Sequence, residues 1–146
     1  MEALQSMDAL LSFHSRGFRE SEWCGQEIGF ALGRGVPVIS VMDGEVPAGF
    51  LSAVQGARWN PAAAENTIQM VIDAILRSEP AAQRYGEALA RKLKFVGSFD
   101  ASDYYVEHLA QCGRLSAAAE ADVRLALTLN DQVRGRHAAV ALINLE

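Results

Sequence analysis

Cysteine is scarce in this chain of 146 residues. Cys24 and Cys112 stand far apart, with no second pair near either, so they can build neither a disulfide framework nor a four-ligand zinc site. Both read as free thiols of a reducing compartment. Basic residues are also few: 13 Lys and Arg face 18 Asp and Glu, a net charge of -5. Nucleic-acid affinity comes largely from clustered Lys and Arg, and such a surface is missing, so no nucleic-acid partner is expected. No apolar run approaches the ~20 residues that span a bilayer. The opening MEALQSMDALLSF has neither a basic residue ahead of its apolar stretch nor a cleavage-like site. A cytoplasmic protein with no membrane contact is expected.

What is present is the material of a folded domain, since hydrophobic residues make up 50% of the chain and charged ones 21%, far from a disordered composition. Residues 1–79 carry 5 basic and 10 acidic side chains and residues 80–146 carry 8 and 8. The whole net charge therefore belongs to the first part. Hydrophobic periodicity divides at the same place: short apolar runs alternate with helical patterns before Pro80, and the pattern is helical after it. Two regions are expected, 1–79 and 80–146, the second a helical module.

Ala9-Leu10-Leu11-Ser12-Phe13 is an apolar run ending in the turn-prone His14-Ser15-Arg16-Gly17, which predicts a strand feeding a loop. Ser21 is placed to cap a helix to about Leu32, where Gly33 and Gly35 stop it. Cys24, Ile28, Ala31 and Leu32 form its core stripe. Val36–Met42 is apolar on both faces except at Ser40, the pattern of a strand covered on both sides. A short helix or strand over Phe50–Trp59 follows, then a helix from Asn60-Pro61 to about Leu76 with Ile68, Val71, Ile72, Ile75 and Leu76 inward. Further helices are expected near 80–94, 101–112, 116–133 and 137–145. Asn130-Asp131-Gln132 reads as a cap.

Ligands of open α/β sheets collect beyond the carboxyl ends of the strands, where helix N-termini point their free N–H groups. Here that crevice is lined by His14, Ser15, Arg16, Gly17, Phe18 and Arg19. Two arginines beside a helix N-terminus form a phosphate-binding set, or are solvated loop arginines. Glu27 follows Trp23 by four residues and shares its helix face. A carboxylate half sheltered by an indole suits a site where positive charge develops, such as a ribose ring losing its leaving group. The plainer alternatives are a surface glutamate and a core tryptophan. His108 and Cys112 share a helix face at i, i+4, but nothing near them in sequence completes a metal site; the plainer reading is a packed cysteine beside an exposed histidine. No metal is expected.

Ser15-Arg16-Gly17-Phe18-Arg19-Glu20-Ser21-Glu22-Trp23-Cys24-Gly25-Gln26-Glu27-Ile28, followed by Ala31 and Gly35-Val36-Pro37-Val38-Ile39, resembles the central segment of Toll/interleukin-1 receptor (TIR) domains of bacterial type. The shared pattern is a strand ending in Ser, an aromatic, Ser-x-Trp-Cys-x-x-Glu on a helix, then a Pro-containing hydrophobic strand. Trp59 and the helix after it resemble the close of the domain, so the likeness covers roughly residues 3–78. The resemblance implies an α/β fold: a truncated flavodoxin-like (TIR) parallel sheet lacking its first two strands, followed by the helical C-terminal module. It implies NAD+ as substrate, with no cofactor, cleaved at the nicotinamide N-glycosidic bond. Glu27 would be the catalytic carboxylate, holding the ribose hydroxyls and stabilising the oxocarbenium-like state. Trp23, His14, Ser15, Arg16 and Arg19 would bind substrate.

The same resemblance implies self-association or pairing with other TIR domains. A non-catalytic signalling module built on such contacts is the alternative function, and a nucleoside deoxyribosyltransferase-like fold is a more distant one. In the family the first two strands and the loop after the second supply much of the nucleotide pocket. Without them Leu10–Phe13 becomes a sheet edge that must be covered. The helical module, a second copy, a partner or a longer natural chain are the expected sources.

Overall fold

The computed structural model describes residues 2–53 and 56–134. It comprises two compact units, Met1–Ala81 and Ala82–Glu146. They divide inside a helix, two residues beyond the start that charge and periodicity suggest. Among the described residues no helix is long and apolar enough to cross a membrane. The helix expected over 137–145 lies outside the described residues.

The first unit is α/β. Helix α1 (Glu2–Ser6) leads into β1 (Leu10–His14), a 3-10 turn at Phe18–Glu20, α2 (Glu22–Gly33) and β2 (Val38–Met42). A 3-10 segment at Gly49–Ala53, β3 (Ala57–Arg58), another 3-10 turn at Pro61–Ala63 and α3 (Ala64–Leu76) complete it. Where a single short helix or strand is expected over Phe50–Trp59, the chain forms a short piece of each. The described strands make one parallel sheet in the order β1-β2-β3, with Leu10 opposite Val38 and His14 opposite Met42.

Side chains alternate across a strand, and the two faces are covered differently. Leu10 and Val38 pack with Ile28 and Ala31 of α2, together with Leu51, Met7, Phe18 and Val36. Ile39 and Ala57 face Met70 and Ala74 of α3 on the other side. Ser21 starts α2 as expected, its Oγ accepting the Cys24 N–H at 3.4 Å. A glycine reversal ends it: Gly35 adopts φ 68°, its N–H reaches the Leu32 carbonyl, and the Val36 N–H reaches that of Ala31. This is the Schellman arrangement, which needs the left-handed conformation glycine adopts without strain.

Two expected core residues turn outward. Leu32 is 41% exposed, in the last turn of α2 that the Gly35 reversal leaves open. Ile68 is 52% exposed, whereas its neighbour Thr67 is buried, because the Thr67 hydroxyl donates to the Arg58 carbonyl at 3.1 Å. Ile72 stays buried and Val71, Ile75 and Leu76 partly so, so the exchange of Thr67 for Ile68 is confined to the first turns of α3.

The second unit is helical: α4 (Glu79–Leu93), whose first turn belongs to the first unit, α5 (Phe99–Gln111), α6 (Ala117–Leu129) and α7 (Asp131–Arg134). Ser98 and Ser116 cap α5 and α6. Ala90, Leu93, Leu109, Ala126 and Val133 are fully buried, but Leu125 and Leu129 are exposed, so α6 is not buried all round as its leucines suggest. Gly86 lets α4 approach α5, since a Cβ there would lie 3.0 Å from Cys112 Cβ.

The helix expected over 116–133 breaks at Asn130, where the backbone becomes extended. Its side-chain amide donates to the carbonyls of Leu93, Lys94 and Val96 at 3.3, 3.3 and 2.9 Å, groups that the end of α4 leaves without helical partners. Its carbonyl oxygen accepts the Gln132 N–H at 2.9 Å, which confirms the cap expected there. Asn130→Ala removes all four bonds, and loss of about 2 kcal/mol of stability is expected. Urea titration followed by circular dichroism measures it; a midpoint equal to that of the unsubstituted chain would show that the clamp carries no weight.

Candidate functional site

The α2-facing side of the sheet changes character along its length. It begins with Leu10 and Val38 and continues with Ser12 and Ser40, which are partners in the ladder, and His14. All three polar side chains are buried, His14 to 1% exposure. Ser12 Oγ and His14 Nε2 share a hydrogen bond of 3.2 Å, and the imidazole lies against the Phe18 ring at a centroid distance of 4.2 Å. Ser40 Oγ is buried with no protein partner. The polar end of this face is the carboxyl end, where ligands of open α/β sheets collect.

One carboxylate ties together the loops that leave β1 and β2. Glu45 Oε1 accepts the Gly17 N–H at 2.9 Å, and Oε2 lies 3.8 Å from Arg19 Nε. Arg19 also donates to the Val46 carbonyl, while the His14 carbonyl accepts the N–H groups of both Asp43 and Glu45 at 3.1 Å. Gly17 has φ 84°, a conformation that costs a residue with a Cβ of the order of 1 kcal/mol. Sequence reasoning missed Glu45. Its one available signal was position, in the Asp43-Gly44-Glu45 turn after the next parallel strand.

Beside this brace lies a cavity of about 360 Å³. Its walls are Leu10–Phe13 of β1, Ser15–Phe18 of the loop, and Cys24, Glu27 and Ile28 of α2. Glu27, Ser15 and Arg16 are thus brought together, with their side chains otherwise exposed to solvent. Cys24 is half-buried on the same wall.

The other expected site residues stand elsewhere. His14 is beneath the loop, sealed by Phe18. Arg19 is spent on Glu45 and Val46. Trp23 is 75% exposed and off the cavity wall, so the indole does not shelter Glu27. The helix explains this: Trp23 lies roughly 140° round α2 from the buried Ile28, on a side that no described element covers.

His108 is buried, not exposed as its plainer reading has it. Its ring packs on Tyr104 at 4.3 Å, and Cys112 Sγ donates to the His108 carbonyl at 3.2 Å. Burial pushes the Cys112 thiol pKa up and that of the neighbouring Tyr85 phenol up to about 12. No group of three or more His, Cys, Asp or Glu suited to a metal ion occurs among the described residues. No protein-family model, curated protein or solved structure matches the chain.

Burial holds the His14 imidazole below its ordinary pKa; Glu45 opposes that shift and Arg19 adds to it. The folded protein therefore binds this proton less readily than the unfolded chain, and His14 lowers stability as pH falls through about 6.5, the unfolded value. Denaturation midpoints measured between pH 8 and pH 5 should fall on the acid side, and His14→Gln should flatten that fall. An unchanged slope in the variant would assign the acid sensitivity to other groups.

Proposed function

We propose that the cavity at the end of β1 is the sugar-binding part of an NAD+ glycohydrolase site, with Glu27 as its catalytic carboxylate. The observation that supports this most is the meeting of Glu27 and Arg16, from different elements, on one cavity beside the N-terminal turn of α2. The TIR-like order of residues from Ser15 to Ile28 supplies the substrate class. Arg16 and the Ser15–Gly17 loop would face the pyrophosphate, as cationic and backbone N–H groups do. Glu27 would hold the ribose hydroxyls on the nicotinamide side and offset the positive charge that develops as the N-glycosidic bond breaks. Nicotinamide leaves with the bond's electron pair, water adds to the sugar carbon and releases a proton, and ADP-ribose results.

In the chain alone Glu27 is exposed, and a carboxylate gains most of its electrostatic leverage where water is excluded. The reading is therefore of a hydrolase whose open side is closed by assembly. The alternative, a non-catalytic docking module, is favoured by one observation: Trp23 presents 75% of its surface to solvent, and large exposed aromatics are characteristic of interface hot spots.

Nicotinamide release from NAD+, followed by chromatography at rising protein concentration, separates the two. Turnover that rises more steeply than concentration, and falls at least about 100-fold in Glu27→Gln, is the expected outcome, with far-ultraviolet circular dichroism unchanged. Turnover that is equal in the variant, or absent at every concentration, would remove the hydrolase and leave the docking module.

A further inference from the structure

The Ser12 hydroxyl belongs to the wall of the cavity beside β1, and the protein leaves part of its hydrogen-bonding capacity unused. A hydroxyl offers one donor and two acceptor lone pairs. Among the described residues its one bond is to His14 Nε2, at 3.2 Å. Ser40, its partner in the ladder, does not reach it, since Ser40 Oγ is itself without a partner. Burial holds the His14 imidazole below its ordinary pKa, so at neutral pH the ring is uncharged. One tautomer donates to Ser12 and the other accepts from it, and in either case at least one lone pair of Ser12 Oγ is left. Stability does not account for this pair, because replacing both partners of a buried hydrogen bond by apolar groups of the same shape is nearly neutral or stabilising.

Two other groups of the same cavity define what could use that lone pair. Glu27 on α2 carries a carboxylate, which only accepts, and Arg16 in the loop carries a guanidinium, which only donates. An acceptor on β1, an acceptor on α2 and a cation in the loop suit a ligand with two hydroxyl donors and one anion. A sugar phosphate with adjacent free hydroxyls has that composition. We propose that Ser12 is the second sugar-reading residue of the cavity, accepting a hydrogen bond from one of two neighbouring ribose hydroxyls while Glu27 accepts from the other. The inference rests on the sugar-binding reading above and adds to it the class of sugar: ribosides with both hydroxyls free, and not their deoxy counterparts. Burial makes the discrimination effective. Ser12 is 5% exposed, and a buried polar group built to bond a hydroxyl is left unpaired by a ligand that lacks it.

Titrating the full chain with ribose 5-phosphate, 2-deoxyribose 5-phosphate and 3-deoxyribose 5-phosphate, followed by nuclear magnetic resonance, tests the assignment. Each deoxy sugar should bind at least about fivefold more weakly than ribose 5-phosphate, the loss of about one hydrogen bond. In Ser12→Ala one of the two penalties should disappear and the other persist, because Glu27 still reads its own hydroxyl. Ser12→Cys, which nearly keeps the volume and offers only a weak acceptor, should show the same pattern even if the alanine variant fails to fold. A merely structural role for Ser12 would weaken all three sugars alike. Both penalties persisting in the variants would overturn the role of Ser12 and leave the sugar-binding reading standing. Equal binding of all three sugars by the unsubstituted chain, or binding of none, would remove that reading and this inference with it.

Discussion

The ladder between Leu10–His14 and Val38–Met42 is the contact on which the first unit depends. It sets the two carboxyl ends side by side, so that the loops after β1 and β2 must share a small space. Glu45 settles that crowding by accepting the Gly17 N–H and facing Arg19. It also fixes which side chains go under the sheet and which go to the edge, because in a strand that choice is made two residues at a time. His14 goes under and is sealed; Leu11 and Phe13 go out and are not.

That parity gives β1 its unusual distribution. Polar Ser12 and His14 are buried while apolar Leu11 and Phe13 stay half-exposed, the reverse of a strand with one solvated face. The buried pair is affordable because Ser12 and His14 bond to each other. The pair is only partly covered because α3 packs against Ile39 and Ala57, further into the sheet, which leaves Phe13 an edge-on contact with the Trp59 ring. Cavity and edge are then two views of one feature: α2 and the loop wall the space beside β1, and β1 itself is open on its outer side.

Elements were legible in the sequence where a local rule and a hydrophobic period agreed. Ser21 and Gly35 bound α2, β2 is apolar except at Ser40 and is buried, and Ser98 and Ser116 cap their helices. Departures from the period were not legible where one side-chain hydrogen bond set them. Thr67 takes an inward place to reach the Arg58 carbonyl, and Asn130 breaks a continuous apolar pattern to hold the end of α4. At the site, spacing placed Glu27, Ser15 and Arg16 near one loop, and they do line one cavity. Spacing also put Trp23 beside Glu27, but a shared helix face does not create a cover where no neighbouring element exists. Glu45 was invisible because its partners Gly17 and Arg19 are more than twenty residues away.

The cavity beside β1 is proposed to receive the sugar and phosphates of a dinucleotide. Titrating the isotopically labelled chain with ADP-ribose, and following its backbone amides by nuclear magnetic resonance, tests this without relying on turnover. Saturable shifts concentrated at Ser15–Phe18 and Cys24–Ile28 are expected. An absence of shifts, or shifts confined to the second unit, would contradict this reading.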